Sequence, residues 1–149
     1  MMKNLITLIF SLVVSSQSLA EFKPDFGKGY LAYLREDYET ALLHWVTLAN
    51  NGDAAAQYNL GYMYANGEGV LENDKTAVYW YTKAAEQGLK QAQHNLAVKY
   101  DKGEGVLTSN IKAYMWYNLA AYNGSKESAS NKDIIAEEMT NEQIAKAQE

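Results

Sequence analysis

A 36-residue segment occurs twice in this chain, and its two copies follow each other without a gap. The first copy is AQYNLGYMYANGEGVLENDKTAVYWYTKAAEQGLKQ (56–91) and the second is AQHNLAVKYDKGEGVLTSNIKAYMWYNLAAYNGSKE (92–127), with about half of the paired positions identical. A repeat of this length indicates one structural unit copied along the chain. Such a unit buries its apolar face only by stacking on its neighbours.

Each copy has the pattern of two helices joined by a loop. The first helix is expected from Ala56 to about Ala65, because Ala56, Leu60 and Tyr64 lie four residues apart and so form one stripe of a helix. Gly67 follows it, and glycine readily takes the left-handed conformation that ends many helices. The second helix is expected to begin at Asn73, whose side chain can cap it, and to stop at Gly88.

The pentapeptide GEGVL stands at 67–71 and again at 103–107, and it has two interpretations, a ligand-binding loop or a turn between helices. A dinucleotide fingerprint needs three glycines between a strand and a helix, and a phosphate loop ends in Gly-Lys-Ser/Thr. Neither pattern is present. We therefore expect the glycines to turn the chain, and Val70 and Leu71 to pack back over the helix pair.

A third, shorter unit precedes the two copies. Gly29, Ala32, Ala41 and Trp45 have the spacing of a helix pair whose turn, at 35–37, lacks the GEGVL insertion.

The C-terminal segment is predicted to form two short helices that cap the stack, as the open end of a repeat array requires. Thr140 and Gln143 have the spacing of a capping box, which marks a helix start. The apolar residues expected to face the last unit are Ile134, Ile135, Met139 and Ile144.

The pattern A-x-x-x-L-G-x-x-Y-x-x-G-x-G-V, followed by D-x-x-x-A-x-x-W-Y-x-x-A-A-x-x-G, resembles the Sel1-like repeat, a relative of the tetratricopeptide repeat with a longer inter-helix loop. The second copy departs from it at Ala97 and Asn110. The resemblance implies an all-α fold, a short right-handed solenoid of about eight helices stacked as antiparallel pairs. We expect one domain (21–149), with units at about 25–55, 56–91 and 92–127 and capping helices at 128–149.

The N-terminus has the features of a cleaved secretory signal. Lys3 precedes an apolar run too short to span a bilayer, and the small residues Ser18 and Ala20 form a cleavage site. We expect cleavage after Ala20, so that residues 1–20 are removed and the mature protein is periplasmic or secreted. Because no cysteine stands at the junction, we expect no lipid or membrane anchor in the mature form.

Composition argues against several kinds of chemistry. The formal net charge of −5 falls to −6 without Lys3, which disfavours nucleic-acid binding. The chain has no cysteine, and its two histidines, His44 and His94, lie in different units, so we expect no zinc site, no cofactor and no catalytic residue. Glu68 and Glu104 recur as a pair, but each belongs to a repeated turn, and we interpret them as turn residues.

The resemblance implies a function in binding, because stacked first helices of such repeats line a groove. The groove positions carried over from the tetratricopeptide pattern are Phe26, Tyr30, Tyr58, Asn59, Tyr62, His94, Asn95 and Val98. The alternative for each tyrosine at these positions is that it packs between helices and is not exposed in the groove. The leading hypothesis is a non-enzymatic adaptor that binds a protein or peptide.

Two alternatives belong to other functional classes. A groove rich in tyrosine and asparagine can also bind carbohydrate or cell wall, and distant cysteine-rich relatives suggest a hydrolase. Sugar binding predicts coplanar exposed rings, peptide binding predicts amides and pockets, and an enzyme needs titratable groups that converge in a cleft.

Overall fold

The structure is a computed structural model that describes residues 22–149, so the predicted signal peptide lies outside the described residues. Within this range the chain forms eight α-helices and no strand, and no helix has the length and apolarity to cross a membrane. The helices are α1 (Phe26–Leu34), α2 (Tyr38–Asn50), α3 (Ala54–Asn66), α4 (Asp74–Glu86), α5 (Lys90–Lys102), α6 (Asn110–Tyr122), α7 (Lys126–Ala136) and α8 (Asn141–Ala147).

The helices stack as hairpins in chain order. Helices α1 and α2, α3 and α4, and α5 and α6 form three pairs, each packed on the next, while α7 and α8 close the C-terminal end against α6. The predicted all-α stack of helix pairs with about eight helices is confirmed.

Local capping residues set the helix boundaries. Helix α3 begins at Ala54, two residues before the expected start, because the Asp53 carboxylate accepts the Ala56 N–H at 2.7 Å and caps the first turn. Gly67 ends this helix in the left-handed conformation, with φ of 68°, as expected. The predicted capping box at Thr140 is confirmed, with both of its hydrogen bonds present.

Three large aromatic side chains form the centre of the core. Trp45, Tyr81 and Tyr117 occupy the same position in successive units, and each is at most 2% exposed. Helix α3 approaches Tyr81 so closely that a Cβ on Gly61 would lie 2.5 Å from the ring. The small residues of the first helices thus make room for the rings of the second helices.

Buried glutamines join the hairpins at the opposite end from the insertion loops. The Gln57 amide donates to the Ala49 carbonyl at 3.0 Å and accepts from Gln87 at 2.8 Å. One unit later, Gln93 donates to Ala85 at 3.1 Å and accepts from Asn123 at 2.9 Å. The same side-chain network therefore recurs at consecutive positions in the stack.

The GEGVL loops are turns, but each also docks on the preceding unit. A Cβ on Gly69 would collide with the Tyr38 side chain, and one on Gly105 would lie 2.5 Å from the Asp74 carbonyl. Tyr38 and Asp74 are the first residues of α2 and α4. The second glycine of each loop therefore lets the loop touch the start of a helix in the unit before it.

Two expected apolar contacts are wrong. Val70 packs on the core, but Leu71 is 82% exposed, so only one of the two apolar side chains after the glycines faces the helix pair. Likewise Ile135 is buried while Ile134 is 63% exposed, because neighbouring residues on a helix are about 100° apart. Met139 and Ile144 do pack on the last unit as expected.

Candidate functional site

An aromatic pocket lies between the first two hairpins. Its volume is about 180 Å³, and its walls come from α1, α2 and α3. The lining residues are Tyr30, Tyr33, Trp45, Tyr58, Asn59 and Tyr62. Four of the predicted groove residues, Tyr30, Tyr58, Asn59 and Tyr62, are thus brought together, while sequence reasoning missed Tyr33 and Trp45.

The rings of the pocket differ in burial and are inclined to one another. Trp45 is buried, whereas Tyr30 and Tyr62 are 47% and 38% exposed and are the accessible rings. The Tyr33 and Trp45 rings have centroids 5.5 Å apart and planes inclined by 38°. Tyr33 and Trp45 therefore do not form a flat platform.

Asn59 and Asn95 occupy equivalent positions but have different surroundings. The Asn95 amide faces the hydroxyls of Tyr58 and Tyr81, and it partly counteracts the increase in their pKa values that burial causes. At the preceding interface the residue equivalent to Tyr81 is Trp45, which has no hydroxyl. The Asn59 amide instead lines the pocket, where it can pair with a ligand.

The other predicted groove residues lie outside the pocket, and their binding role stays a prediction. Phe26 packs against Trp45, with ring centroids 5.9 Å apart. Val98 packs on the C-terminal core cluster, and His94 Nδ1 is 2.9 Å from the Ser128 hydroxyl of α7. Helix α7 therefore contacts the third unit at the positions that correspond to the pocket.

Ser128, His94 and Glu127 resemble a catalytic triad by their order of contacts. His94 Nδ1 faces the Ser128 hydroxyl, and Nε2 lies 3.6 Å from the Glu127 carboxylate. The serine is completely buried and also hydrogen-bonds to Ser125, the N-cap of α7. A nucleophile must reach its substrate, so this arrangement can position α7 but cannot attack an ester or amide.

Glu68 and Glu104 hold the insertion loops in place, and each carboxylate has its own separate partners. Glu68 accepts the Tyr33 hydroxyl at 2.7 Å, and burial together with this bond raises the pKa of Tyr33. Glu104 pairs with Lys99 Nζ at 2.6 Å, and the same ammonium binds Asp74 at 2.6 Å. Glu68 thus connects its loop directly to the preceding unit, and Glu104 does so through Lys99, which also binds Asp74.

The sequence contains one signal for the ion pairs that Lys99 makes with Glu104 and Asp74. Lys99 stands where the other copy has the buried Met63, and a lysine at a core position requires an acidic partner. Burial alone would lower the pKa of Lys99, but hydrogen bonds and charge from Asp74 and Glu104 outweigh burial and raise it. Across residues 22–149, His, Asp and Glu form no group suited to hold a metal ion.

Comparison with known proteins identifies the repeated unit. The family model described as Sel1 repeat matches residues 54–89 and 90–125, so each match begins two residues before the corresponding copy in the sequence. The chain contains two Sel1 repeats. No curated protein sequence matches the chain.

Two solved structures place the Sel1 repeats in a known fold. One is a protective antigen that is present in uropathogenic Escherichia coli strains and displays an SLR fold. It is 31% identical to this chain with a TM-score of 0.75, and the match covers 80% of this chain and 27% of the antigen. A Sel1 repeat protein from Oxalobacter formigenes is 36% identical with a TM-score of 0.69, over 72% of this chain and 44% of its own. This chain therefore spans less than half of either relative.

The Sel1 repeats also narrow the functional class. Proteins built from them generally mediate protein–protein interactions and are typically non-catalytic scaffolds. The resemblance to the Sel1-like family inferred from the sequence is confirmed.

Proposed function

We propose that this protein is an exported, non-enzymatic adaptor that binds an extended segment of a partner protein in the groove between α1 and α3. The observation that carries the proposal is the aromatic pocket with the Asn59 amide in its wall. Aromatic rings provide contact area, while an amide pairs with the N–H and C=O groups of a peptide backbone.

A peptide fits this site better than a carbohydrate. The ring planes of Tyr33 and Trp45 are inclined by 38°, whereas sugar binding favours coplanar rings. The volume of about 180 Å³ is also smaller than the roughly 300 Å³ or more of usual small-molecule sites. One side chain of a bound segment matches this size.

The export part of the proposal has its own test. N-terminal sequencing of the protein from its native cell envelope or medium should begin at Glu21, the residue after the expected cleavage site. A sequence that begins at Met1 in the cytoplasmic fraction would contradict export and leave the binding site unaffected.

The binding part is tested by affinity capture with the mature chain from Glu21 onward. Wild-type protein is compared with the double variant Asn59→Ala/Tyr62→Ala, which changes two pocket residues. The matched control is Tyr122→Ala, which removes a tyrosine that is 89% exposed on α6. Circular dichroism checks that all three proteins are folded.

We expect one partner to be captured by the wild type and the control and to be lost with the double variant. Its binding segment, made as a peptide, should then shift the NMR signals of the pocket residues. Equal capture by all three proteins would contradict the proposal that this groove is used.

A further inference from the structure

We propose that the pocket between α1 and α3 accepts the cationic side chain of an arginine or lysine from the partner segment. This inference rests on the proposed function, because it names the chemistry that the same groove recognises. The pocket residues are those defined above, and the proposal is argued from their rings, their charged neighbours and their volume.

The aromatic walls favour a cation. Five of the six lining residues are tyrosine or tryptophan, and the negative face of such a ring attracts an ammonium or guanidinium group within about 6 Å. Two lysines of the described chain stack on rings, Lys83 on Tyr79 and Lys112 on Tyr100. Both pairs lie outside the pocket, so neither of these lysines covers a pocket ring, and the rings can accept a cation from a partner.

The charges near the pocket have the complementary sign. The Glu68 carboxylate is one hydrogen bond, 2.7 Å, from the hydroxyl of the lining residue Tyr33. A carboxylate that has accepted one hydroxyl still has free lone pairs for a guanidinium.

The size of the pocket and the charge of the whole chain agree with a single basic side chain. About 180 Å³ leaves room for the stem and head of one long side chain. The formal net charge of −5 attracts basic segments and disfavours acidic ones at long range.

The test uses three short peptides that differ at one central position, Ac-Ala-Ala-X-Ala-Ala-NH₂, with X arginine, its neutral isostere citrulline, or leucine. The mature full chain is titrated with each, and binding is followed by the NMR shift of the Trp45 indole N–H. We expect the arginine peptide to bind about fivefold or more tightly than the citrulline peptide. We expect the same preference over leucine.

Variants separate the rings from the charge. Tyr62→Leu should remove most of the preference for arginine, because it deletes an accessible ring but keeps apolar area. Glu68→Gln should weaken the arginine peptide and leave the leucine peptide unchanged. The control Tyr122→Leu should bind like the wild type.

Equal binding of arginine and citrulline, tighter binding of leucine, or no shift of the Trp45 signal with any peptide would overturn the inference. In each case the proposed function still stands if partner capture depends on Asn59 and Tyr62. Capture that is indifferent to both residues contradicts the proposed function itself, so the two failures are distinguishable.

Discussion

The contact between Gly61 and Tyr81 shows how a single hydrogen atom in place of a methyl group sets the distance between two helices. A Cβ on Gly61 would lie 2.5 Å from one carbon of the ring and 2.6 Å from the next. The third unit has Ala97 at this position, in the same core cluster as Tyr117. Each hairpin therefore has its own fit between small residue and ring.

Gly61→Ala should destabilise the protein despite the higher helix propensity of alanine. The propensity gain is at most about 1 kcal/mol, while overpacking a closed core costs about 1–3 kcal/mol. Urea denaturation measures the difference. Gly27→Ala is the control, since its nearest neighbour is the Asp25 carboxylate at 3.3 Å, and it should be neutral or stabilising.

Lys99 holds two carboxylates that would otherwise repel each other. Lys99→Met should lower the free energy of unfolding by about 1–3 kcal/mol, because it leaves Asp74 and Glu104 without their shared cation. Thermal denaturation of this variant is compared with Lys102→Met, an exposed lysine one turn nearer the end of the same helix. Equal melting temperatures for the two variants would refute a role for the ion pair.

His44 should make stability depend on pH. Its Nδ1 accepts the Asp25 N–H at 3.1 Å, and its pKa is lowered because burial and the charge of Lys28 outweigh the opposing charge of Asp25. Below about pH 6.5 the unfolded chain therefore binds a proton more readily than the folded chain, so stability falls on acidification.

The measurement for His44 is the melting temperature between pH 7.5 and 5. His44→Asn is the comparison, because its side-chain oxygen keeps an acceptor but does not titrate. The wild type should lose more stability than the variant over this range. Parallel curves would show that His44 does not carry the effect.

At the scale of the element, the insertion loop has two roles that one peptide motif cannot reveal. The loop turns the chain between helices, and it also docks on the preceding unit through Gly105. A Cβ added to Gly105 would lie 2.5 Å from the backbone carbonyl of Asp74. Since the atoms it meets are backbone, the neighbour cannot rotate away.

Gly105→Ala should therefore cost more than the left-handed conformation alone. Gly88→Ala is the matched control, because Gly88 has φ of 87° with open space around it. We expect the free energy of unfolding of the Gly105 variant to be about 1–3 kcal/mol lower than that of the Gly88 variant. Urea denaturation decides, and equal losses would mean that the docking contact adds nothing.

The sequence predicts the helices well because caps and periodicity are local. Asn73, Gly67 and Thr140 mark boundaries by bonds within a few residues, and all three act as expected. Leu71 and Ile134 were wrongly placed because their burial depends on which side of the backbone meets another unit. Apolar character alone does not specify that side.

The two loop carboxylates differ in how far the sequence indicates their partners, because Lys99 at a core position signals an acidic partner whereas nothing in the sequence marks Tyr33. Glu68 and Glu104 occur in identical pentapeptides, yet one accepts from Tyr33 and the other binds Lys99. Glu68 reaches Tyr33 of the preceding unit, whereas Glu104 binds Lys99 on the helix just before its own loop. Of the site, the sequence alone predicted the residues of α3 and Tyr30, but not the enclosing Tyr33 and Trp45.

At the scale of the whole molecule, stability is shared between neighbouring hairpins, since in such an array each unit contacts only the next. Helix α7 buries Ser128 against His94, and Ile135 and Met139 complete the last core cluster. The C-terminal helices are therefore structural parts of the third unit.

Deleting residues 126–149 should lower the melting temperature and expose apolar surface, measured by circular dichroism and by binding of a hydrophobic dye. The matched control is deletion of 141–149, which removes α8 and keeps α7 on His94. The longer deletion should be clearly the more damaging. Equal behaviour would show that α7 contributes little to the fold.

Both insertion loops point backward along the chain, from the third unit to the second and from the second to the first. Among the described residues, the first hairpin instead joins its helices by the short turn at 35–37. The contacts between units therefore have one direction, because each insertion loop binds the unit that precedes it in the chain. During synthesis on the ribosome, each new unit therefore carries the loop that docks it onto a unit already made. Chain elongation and the stacking of units run in the same direction.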